Sequence, residues 1–353
     1  MYNPKPIIYR DPTFDALKFF AIFLVLWGHA IQYLVSTEYY DEPVYRIIYS
    51  FHMPLFMAIV GYFSSGSKSN NILSTLMKKF RQLLLPACVF GLIFLFLGYY
   101  KGGVKSGIGY WIYAFWFLKS AFGCFVLYFL SQRLIKQTFL FVIVSLVLSQ
   151  FVFVFKINLM YPCFLFGVLL YNNFNFIKKH VTAIIPITGI IFLIMLLFWD
   201  ERFWTFPTKT IRIGIQDIGY YGYTGYRICI GLTGTLFFIS LFTYLFSRIE
   251  ISSNIKHICN WGQETLGIYL LQTFLLEMLL PKFLNFDEAD FVSFNFIISP
   301  LISLVVLILC LKLVNLIKKS SLLSFLLLGK KYEKKFQDLC RRTPRDGRVG
   351  HRP

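Results

Sequence analysis

Three ionisable residues, Asp15, Lys18 and His29, lie within the first apolar segment of the chain. An ionisable residue inside a membrane span is energetically costly, so it is a functional candidate by default. On a helix, Lys18 and His29 share a face and stand about 16 Å apart along the axis, and Asp15 falls within about 40° of that face. This stripe combines an anion-binding cation near the start of the helix with a titratable imidazole deep in the membrane.

The separation is comparable to an extended pantetheine arm. An acyl-coenzyme A could therefore anchor its phosphates near Lys18 and present its thioester near His29. Alternatively, Lys18 only marks the end of the helix by reaching to the interface, and Asp15 is the N-cap. Both interpretations stay open for Lys18 and Asp15, whereas a mid-membrane His29 has few structural explanations.

The second apolar segment contains His52, within the motif Phe-His-Met-Pro-Leu-Phe at 51–56. This span runs inward, so His52 lies about 12 Å below the outer surface and at a depth similar to that of His29. Pro54 frees a backbone carbonyl and kinks the span, which is tolerated beside a cavity. The pattern predicts two imidazoles that face one cavity; a hydrogen bond from His52 to the backbone is the alternative.

The elements that must position these residues are membrane helices. Of the 353 residues, 57% are apolar and only 15% are charged, whereas a soluble domain carries about 25% charged residues. This composition excludes a soluble protein, a disordered chain and a disulfide-stapled secreted module. The seven cysteines show no metal-ligand spacing and no disulfide framework. The basic residues form no separate domain of the kind that would bind nucleic acid.

Apolar runs of about 17–25 residues predict an all-α, polytopic membrane protein with about ten transmembrane helices. The predicted spans are 15–35, 44–63, 83–100, 110–131, 138–155, 159–177, 181–199, 227–247, 261–281 and 292–317. With the N-terminus in the cytoplasm, most Lys and Arg fall in inner segments and the outer loops collect acids, so both termini are predicted to be cytoplasmic. We expect residues 1–320 to form the transmembrane domain and residues 321–353 to form a basic cytoplasmic tail, with an interfacial helix followed by disordered chain.

The motifs resemble those of the membrane acyltransferase family 3. The first-helix pattern of that family is Asp-x-Leu-Arg, then Ala, then a His eleven residues after the Arg, and the corresponding residues here are Asp15, Leu17, Lys18, Ala21 and His29. The second pattern, Phe-His-Met-Pro-Leu-Phe followed by Gly-Tyr, occupies 51–62. A basic segment similar to that of the family leads into the third span at 78–86. Shorter segments similar to the family's motifs follow in the same order, at 116–118, 164–167 and 265–272.

The resemblance implies transfer of an acyl group, usually acetyl, from cytosolic acetyl-CoA to a carbohydrate hydroxyl of capsule, O-antigen or a similar polymer. It implies a location in the bacterial inner membrane, no metal, and catalysis by the first-helix histidine, His29. Two positions depart from the family. Lys18 replaces Arg, which keeps the charge but loses the bidentate fork. Gln272 stands where many members have His, so no acid–base role carries over to it.

The predicted enzyme is an O-acyltransferase in which His29 acts as general base or as a covalent acyl relay. Lys18 and Arg81 would hold the phosphates of coenzyme A at the cytoplasmic face. The candidates that would line the cavity and hydrogen-bond the substrate are His52, Tyr269 and Gln272. Lys119, in the fourth span, is predicted either to bind an anionic group or to extend outward.

Two other classes of protein compete with this assignment. A transporter or flippase of a polysaccharide precursor would explain the intramembrane charges, but the inverted-repeat halves expected of one are not found. A polysaccharide polymerase or ligase would favour large outer loops rich in Arg and acids. The predicted outer loop over 200–226 is modest and rich in tyrosine, which suits a sugar ligand or an interfacial aromatic belt.

Overall fold

The computed structural model describes residues 11–35, 39, 42–65, 72–96, 109, 111–112, 114–152, 154–199, 218–250, 252–287 and 289–330. All regular elements among these residues are helical, which confirms the all-α class. The predicted disordered segment beyond 330 lies outside the described residues, as does most of the predicted outer loop over 200–226.

The helices are numbered in chain order. They are α1 (Pro12–Leu34), α2 (Pro43–Ser65), α3 (Ile72–Lys79, continued by a π-helical turn over Phe80–Leu84 and by Leu85–Phe96), α4 (Trp116–Leu134), α5 (Thr138–Gln150), α6 (Ile157–Asn172), α7 (Phe174–Leu197), α8 (Ile218–Arg248), α9 (Ser253–Gly262), α10 (Thr265–Gln272, continued by a π-helix over Thr273–Leu279), α11 (a π-helical turn over Phe294–Ile298, then Ser299–Ile317) and α12 (Ser321–Leu328).

Within the described residues, seven helical stretches are long and apolar enough to cross a membrane. They correspond to the first, second, third, sixth, seventh, eighth and tenth predicted spans. The other three predicted spans are helical, but they are shorter or less apolar than a typical membrane span. Helix α4 contains Lys119 and Arg133, α5 has 13 residues, and α10 is only eight residues long before its π-helix. The protein is thus a multi-pass helical membrane protein, and the count of ten remains a prediction.

The outer surface of the bundle is strongly apolar along α7 and α11. On α7, Ile190, Leu193 and Leu197 are exposed, and on α11 Leu301 and Val305 are exposed. A soluble protein rarely exposes apolar patches of this extent. Contact with lipid chains explains why these side chains need no protein partner.

Helix α1 lies in the middle of the bundle, where it packs against α2, α8, α9, α10 and α11. It begins at Pro12, and the carboxylate of Asp11 accepts a hydrogen bond from the backbone N–H of Thr13 at 3.0 Å. Asp11 is therefore the N-cap, and the alternative interpretation of Asp15 as the N-cap is wrong. Asp15 is instead buried one turn into the helix.

Helices α2 and α6 cross with their backbones in contact. A Cβ atom at Gly61 would lie 1.9 Å from the carbonyl oxygen of Phe164, and one at Gly167 would lie 1.9 Å from that of Ala58. Glycine is required at both positions because only a small residue lets two membrane helices approach this closely. The crossing fixes His52, on α2, relative to the N-terminal end of α6.

The predicted split between the fifth and sixth spans is confirmed, because α5 ends at Gln150 and α6 begins at Ile157. The chain turns back through Phe155 and Lys156, whose φ angles of 53° and 61° lie in the left-handed region. Left-handed backbone is unfavourable for residues with a side chain. Helix α6, which follows this reversal, packs against α2 and α8.

The predicted apolar stretch at 322–328 forms helix α12. It begins with the side chain of Ser320 accepting from the N–H of Leu323 and ends at Gly329, whose φ of 66° suits glycine. The helix packs against α3. Its placement at the membrane interface remains a prediction.

Candidate active site

A cavity of about 400 Å³ opens between α1, α2, α6, α8 and α10. This volume lies within the range of small-molecule sites. The side chains that give the cavity its chemistry are His29, His52, Lys156, Arg227, Glu277, Tyr33, Tyr39, Tyr45, Tyr49, Tyr269, Phe115, Trp116 and Trp199. Both intramembrane histidines therefore line the same space, with a largely aromatic wall around them.

The hydrogen bonds of His29 define its tautomer. Its Nδ1 lies 2.8 Å from Oε1 of the fully buried Gln272. The amide nitrogen of Gln272 donates to the carbonyl of Tyr269 at 3.3 Å and to Oγ1 of Thr273 at 3.0 Å, which fixes the orientation of the amide. The oxygen of Gln272 must then accept from Nδ1–H, so Nε2 of neutral His29 carries the lone pair.

A carboxylate also faces Nδ1 of His29. Oε1 of Glu277 lies 3.3 Å from this nitrogen, and the two side chains are only 16% and 18% exposed. Glu277 belongs to the π-helix Thr273–Leu279, and π-helical turns occur frequently at functional sites. A carboxylate in this position orients the ring and stabilises the imidazolium that forms when Nε2 takes a proton.

Glu277 is not among the site residues predicted from the sequence, although its sequence context contains a signal for it. Glu277 is an acid within the predicted span 261–281, so it satisfies the same rule for intramembrane ionisable residues that singled out His29. Its pairing with His29 depends on the packing of α10 against α1, which no local spacing indicates.

His52 both faces the cavity and hydrogen-bonds to the backbone, the two arrangements that were alternatives in the sequence. It is buried, its Nδ1 donates to the carbonyl of Ile48 at 2.7 Å, and it lines the cavity. With Nδ1–H bonded to the backbone, Nε2 of the neutral ring is a hydrogen-bond acceptor. The ring of Tyr49 meets the imidazole edge-on at 4.7 Å and limits its rotation.

Tyrosines on α1 and α2 form much of the cavity wall. The rings of Tyr45 and Tyr49 stack with centroids 3.9 Å apart, and the hydroxyl of Tyr49 donates to Oε1 of Gln32 at 2.6 Å. Tyr33 stands edge-on to His29 at 5.7 Å. Such rings combine an apolar body with a polar tip, which matches the C–H faces and hydroxyls of a sugar. Tyr45 and Tyr49 are one helical turn apart, a spacing that could have indicated a shared face.

Asp15 and Lys18 lie toward the opposite end of α1 and are absent from the cavity lining. Nζ of Lys18 lies 3.1 Å from Oδ1 of Asp15 and 4.5 Å from the ring centroid of Phe63. Oδ2 of Asp15 accepts from the side-chain amide of Gln263 at 3.1 Å. The structure therefore pairs Asp15 and Lys18 with each other and does not bring them to His29.

Arg81 is also absent from the cavity lining; it lies exposed on the π-helical turn of α3. Tyr269 lines the cavity, whereas Gln272 lies behind His29 as its hydrogen-bond partner. Of the three side chains predicted to line the cavity, His52 and Tyr269 do so and Gln272 does not. Lys18 and Arg81, which were predicted at the cytoplasmic face, lie outside the cavity lining.

Lys119 interacts with the backbone, which differs from both predictions. Its ammonium donates to three backbone carbonyls at 2.6–2.9 Å, those of Trp111, Ile112 and Ala114. It therefore neither extends outward nor offers its charge to a ligand. It organises the loop that carries Phe115 and Trp116 to the cavity.

Within the described ranges, no group of His, Cys, Asp and Glu side chains could hold a metal ion. The site combines the imidazole of His29 with the carboxylate of Glu277 inside a bundle of apolar helices. The model of a family described as an acyltransferase domain matches residues 11–315. The chain belongs to this acyltransferase family.

Two curated relatives share a shorter segment with this chain. They are the nodulation protein NolL of Mesorhizobium japonicum, 43% identical over 81 residues, and the nodulation protein NolL of Sinorhizobium fredii, 46% identical over 61 residues. The first alignment covers 22% of each chain, and the second covers 16% of this chain and 17% of the relative. The matched segments thus span about a fifth of these relatives. No solved structure matches the chain.

Proposed function

We propose that this acyltransferase moves an acyl group, acetyl first among the candidates, from cytosolic acyl-CoA to a hydroxyl of a cell-surface carbohydrate or its lipid-linked precursor. It would act in the bacterial inner membrane with both termini in the cytoplasm. The observation that carries the proposal is His29, whose Nδ1 faces Gln272 and Glu277 while its ring lines a cavity of about 400 Å³.

The proposed chemistry uses Nε2 of His29 as the base. Nε2 takes the proton of the acceptor hydroxyl, the hydroxyl oxygen attacks the thioester carbonyl, and the resulting tetrahedral intermediate expels the thiolate of coenzyme A. The imidazolium then returns the proton to the thiolate. Glu277 stabilises the imidazolium during this cycle, because it lies 3.3 Å from Nδ1.

The cavity wall supports a carbohydrate acceptor. Tyr45 and Tyr49 offer a stacked aromatic surface, and Nε2 of His52 is available to accept a hydrogen bond from a sugar hydroxyl. Donor phosphates would bind near Lys18 and Arg81, as the sequence predicts. The aligned face of α1 then leads from the donor site to His29 over about 16 Å.

The test measures release of free coenzyme A thiol from acetyl-CoA by the purified protein in lipid, with a bacterial surface polysaccharide as acceptor and O-acetyl analysis of the product. The expected result is transfer by the wild type and a loss of about 10²–10⁴-fold in His29→Ala, the range of general-base catalysis. His257→Ala is the matched control, because His257 lies exposed on α9 and away from the cavity.

Normal transfer by folded His29→Ala would show that the base is elsewhere. If the folded protein consumes no acyl-CoA with any surface polysaccharide, the proposal that acyl-CoA is the donor is wrong. A brief reaction with radiolabelled acetyl-CoA in the absence of acceptor tests the covalent alternative: direct transfer predicts no labelled protein, whereas label lost in His29→Ala would replace direct transfer with an acyl-histidine relay.

A further inference from the structure

Gln32 lies about one helical turn beyond His29 on α1, and its side chain lines the same cavity. Residues three positions apart on a helix are neighbours on one face, with Cβ atoms about 5–6 Å apart. We propose that the side-chain amide of Gln32 donates a hydrogen bond to the carbonyl oxygen of the acyl group while this oxygen carries negative charge. This inference rests on the proposed function, because it names a catalytic residue for the same acyl transfer.

A tyrosine holds the amide of Gln32 in one orientation. The hydroxyl of Tyr49 donates to Oε1 of Gln32 at 2.6 Å, and the ring of Tyr49 stacks on that of Tyr45 with centroids 3.9 Å apart. Because the oxygen is occupied in this way, the –NH₂ group of the amide points elsewhere. In the described part of the chain no acceptor takes a hydrogen bond from this nitrogen, and the side chain is half-buried at the cavity wall. The nitrogen is therefore available to a ligand.

This use of a glutamine differs from the others in the structure. The remaining glutamines that form side-chain hydrogen bonds within the described ranges all donate through the amide nitrogen to a protein acceptor; they are Gln132, Gln150, Gln263 and Gln272. In Gln32 only the oxygen is bonded. A donor left without an acceptor is costly away from water, so an oriented amide N–H that faces a cavity indicates a ligand that accepts from it.

Two other polar side chains of the cavity wall keep their donors within the protein. Nδ1 of His52 donates to the carbonyl of Ile48 at 2.7 Å, and the hydroxyl of Thr273 donates to the carbonyl of Tyr269 at 3.3 Å. Neither donor can turn to a substrate without breaking its bond. Gln32 can donate to a substrate and keep its bond to Tyr49, so its N–H needs no rearrangement when charge develops.

The step assigned to Gln32 is the stabilisation of the tetrahedral intermediate. As the acceptor oxygen bonds to the thioester carbon, Nε2 of His29 takes the hydroxyl proton and the π electron pair of the carbonyl moves to its oxygen. The N–H of Gln32 donates a hydrogen bond to this oxyanion and keeps its proton. When the electron pair returns, the C–S bond breaks and the thiolate of coenzyme A takes the proton from His29. Amide side chains serve as oxyanion donors of this kind in acyl transfer.

The experiment measures steady-state acyl transfer by the full-length protein in lipid nanodiscs, with acetyl-CoA and the surface polysaccharide that the wild type acetylates. Gln32→Met keeps the approximate size of the side chain and removes the donor. It should lower kcat about 10²–10³-fold, the loss expected for one oxyanion donor, with little change in the KM of either substrate. Gln32→Glu keeps an oxygen for the hydroxyl of Tyr49 but has no N–H, so it should lose at least as much.

The matched control is Gln132→Glu. Gln132 also pairs with a tyrosine hydroxyl, that of Tyr128 at 3.0 Å, but it lies exposed on α4 and outside the cavity lining. This variant should keep the wild-type kcat, since its amide faces no substrate.

A double-mutant cycle tests whether Tyr49 orients the amide. Tyr49→Phe should lower kcat about tenfold, the cost of one hydrogen bond, and should lower it no further in Gln32→Met. Additive losses would contradict the orienting role, because they would show that Tyr49 does not act through Gln32.

Two outcomes would overturn the inference and leave the proposed function in place. One is a normal kcat in folded Gln32→Met. The other is a loss confined to the KM for the polysaccharide, which would assign the amide to sugar binding. If Gln32→Met does not fold, Gln32→Glu decides, because its carboxylate still accepts from Tyr49. Absence of acyl transfer by the folded wild type would instead contradict the proposed function, and this inference with it.

Discussion

The two ends of α1 use ionisable residues in opposite ways. At one end, Asp15 and Lys18 pair with each other at 3.1 Å, and Gln263 of the neighbouring segment completes the shell of Asp15. At the other end, His29 lines an open cavity and receives its partners, Gln272 and Glu277, from α10. An ionisable residue within a span is therefore only a candidate, and the surrounding helices decide whether its chemistry is available to a ligand.

The largest effect is expected at the cavity end. Glu277→Gln keeps the shape of the side chain and removes its charge, so it should lower kcat about 100-fold with little change in the KM of either substrate. Glu277→Asp should restore part of the rate. Steady-state kinetics in lipid measure both variants. If Glu277→Gln raises KM without lowering kcat, or if Glu277→Asp restores none of the rate, then Glu277 only shapes the cavity.

The second-largest effect is expected where α9 packs against the end of α1 that carries the Asp15–Lys18 pair. A Cβ atom at Gly262 would lie 1.8 Å from the backbone oxygen of Asp15, so Gly262→Ala must separate α9 from α1. It should destabilise the protein by about 1–3 kcal/mol, the usual cost of overpacking. Thermal unfolding measures the change. Gly225→Ala on α8 is the control, because a Cβ there meets nothing within 4 Å, and an equal loss in both variants would contradict this account.

A smaller effect is expected from Lys18, and it tests whether the end of α1 that carries the Asp15–Lys18 pair also binds the acyl donor. If Lys18 contacts a phosphate of coenzyme A, Lys18→Gln should raise the KM for acetyl-CoA about tenfold, as expected for one charge-assisted hydrogen bond. The KM for the acceptor should not change. An unchanged donor KM together with a lower melting temperature would mean that the Lys18–Asp15 pair is purely structural.

The smallest effect is expected where α1 begins. Asp11→Ala removes the carboxylate that caps the N–H of Thr13, so it should destabilise the protein by about 1 kcal/mol. Because Asp11 does not line the cavity, kcat and both KM values should stay unchanged in lipid. A change in kcat would show that the start of α1 is coupled to His29.

The membrane architecture could be predicted from sequence because it depends on local composition. Each apolar run must satisfy its own backbone hydrogen bonds in lipid, so its length and hydrophobicity nearly determine that it is a helix. The boundaries were less accurate: the predicted sixth span ends at 177, but α6 ends at Asn172 and α7 begins at Phe174. The π-helix around Glu277 is not predicted, because π-helical turns are rare and the apolar pattern of the span indicates an ordinary α-helix.

The candidate site was predicted in part. His29 and His52 stood out because each is a titratable residue in an otherwise apolar run. Lys156 lines the cavity although it lies between the predicted spans 138–155 and 159–177 and is not among the predicted site residues. Its position depends on two consecutive left-handed residues, Phe155 and Lys156, which ordinary propensities disfavour.

By itself, the sequence determined that this protein is a multi-pass helical acyltransferase, since hydropathy and the order of its motifs are properties of the chain. Tertiary structure decided which polar residues meet. His29 lies 243 positions from Gln272, and Lys156 and Arg227 come to one cavity from different helices. The physical reason is that periodicity determines which side of a helix faces the protein, whereas the packing of whole helices determines which side chains share the space between them.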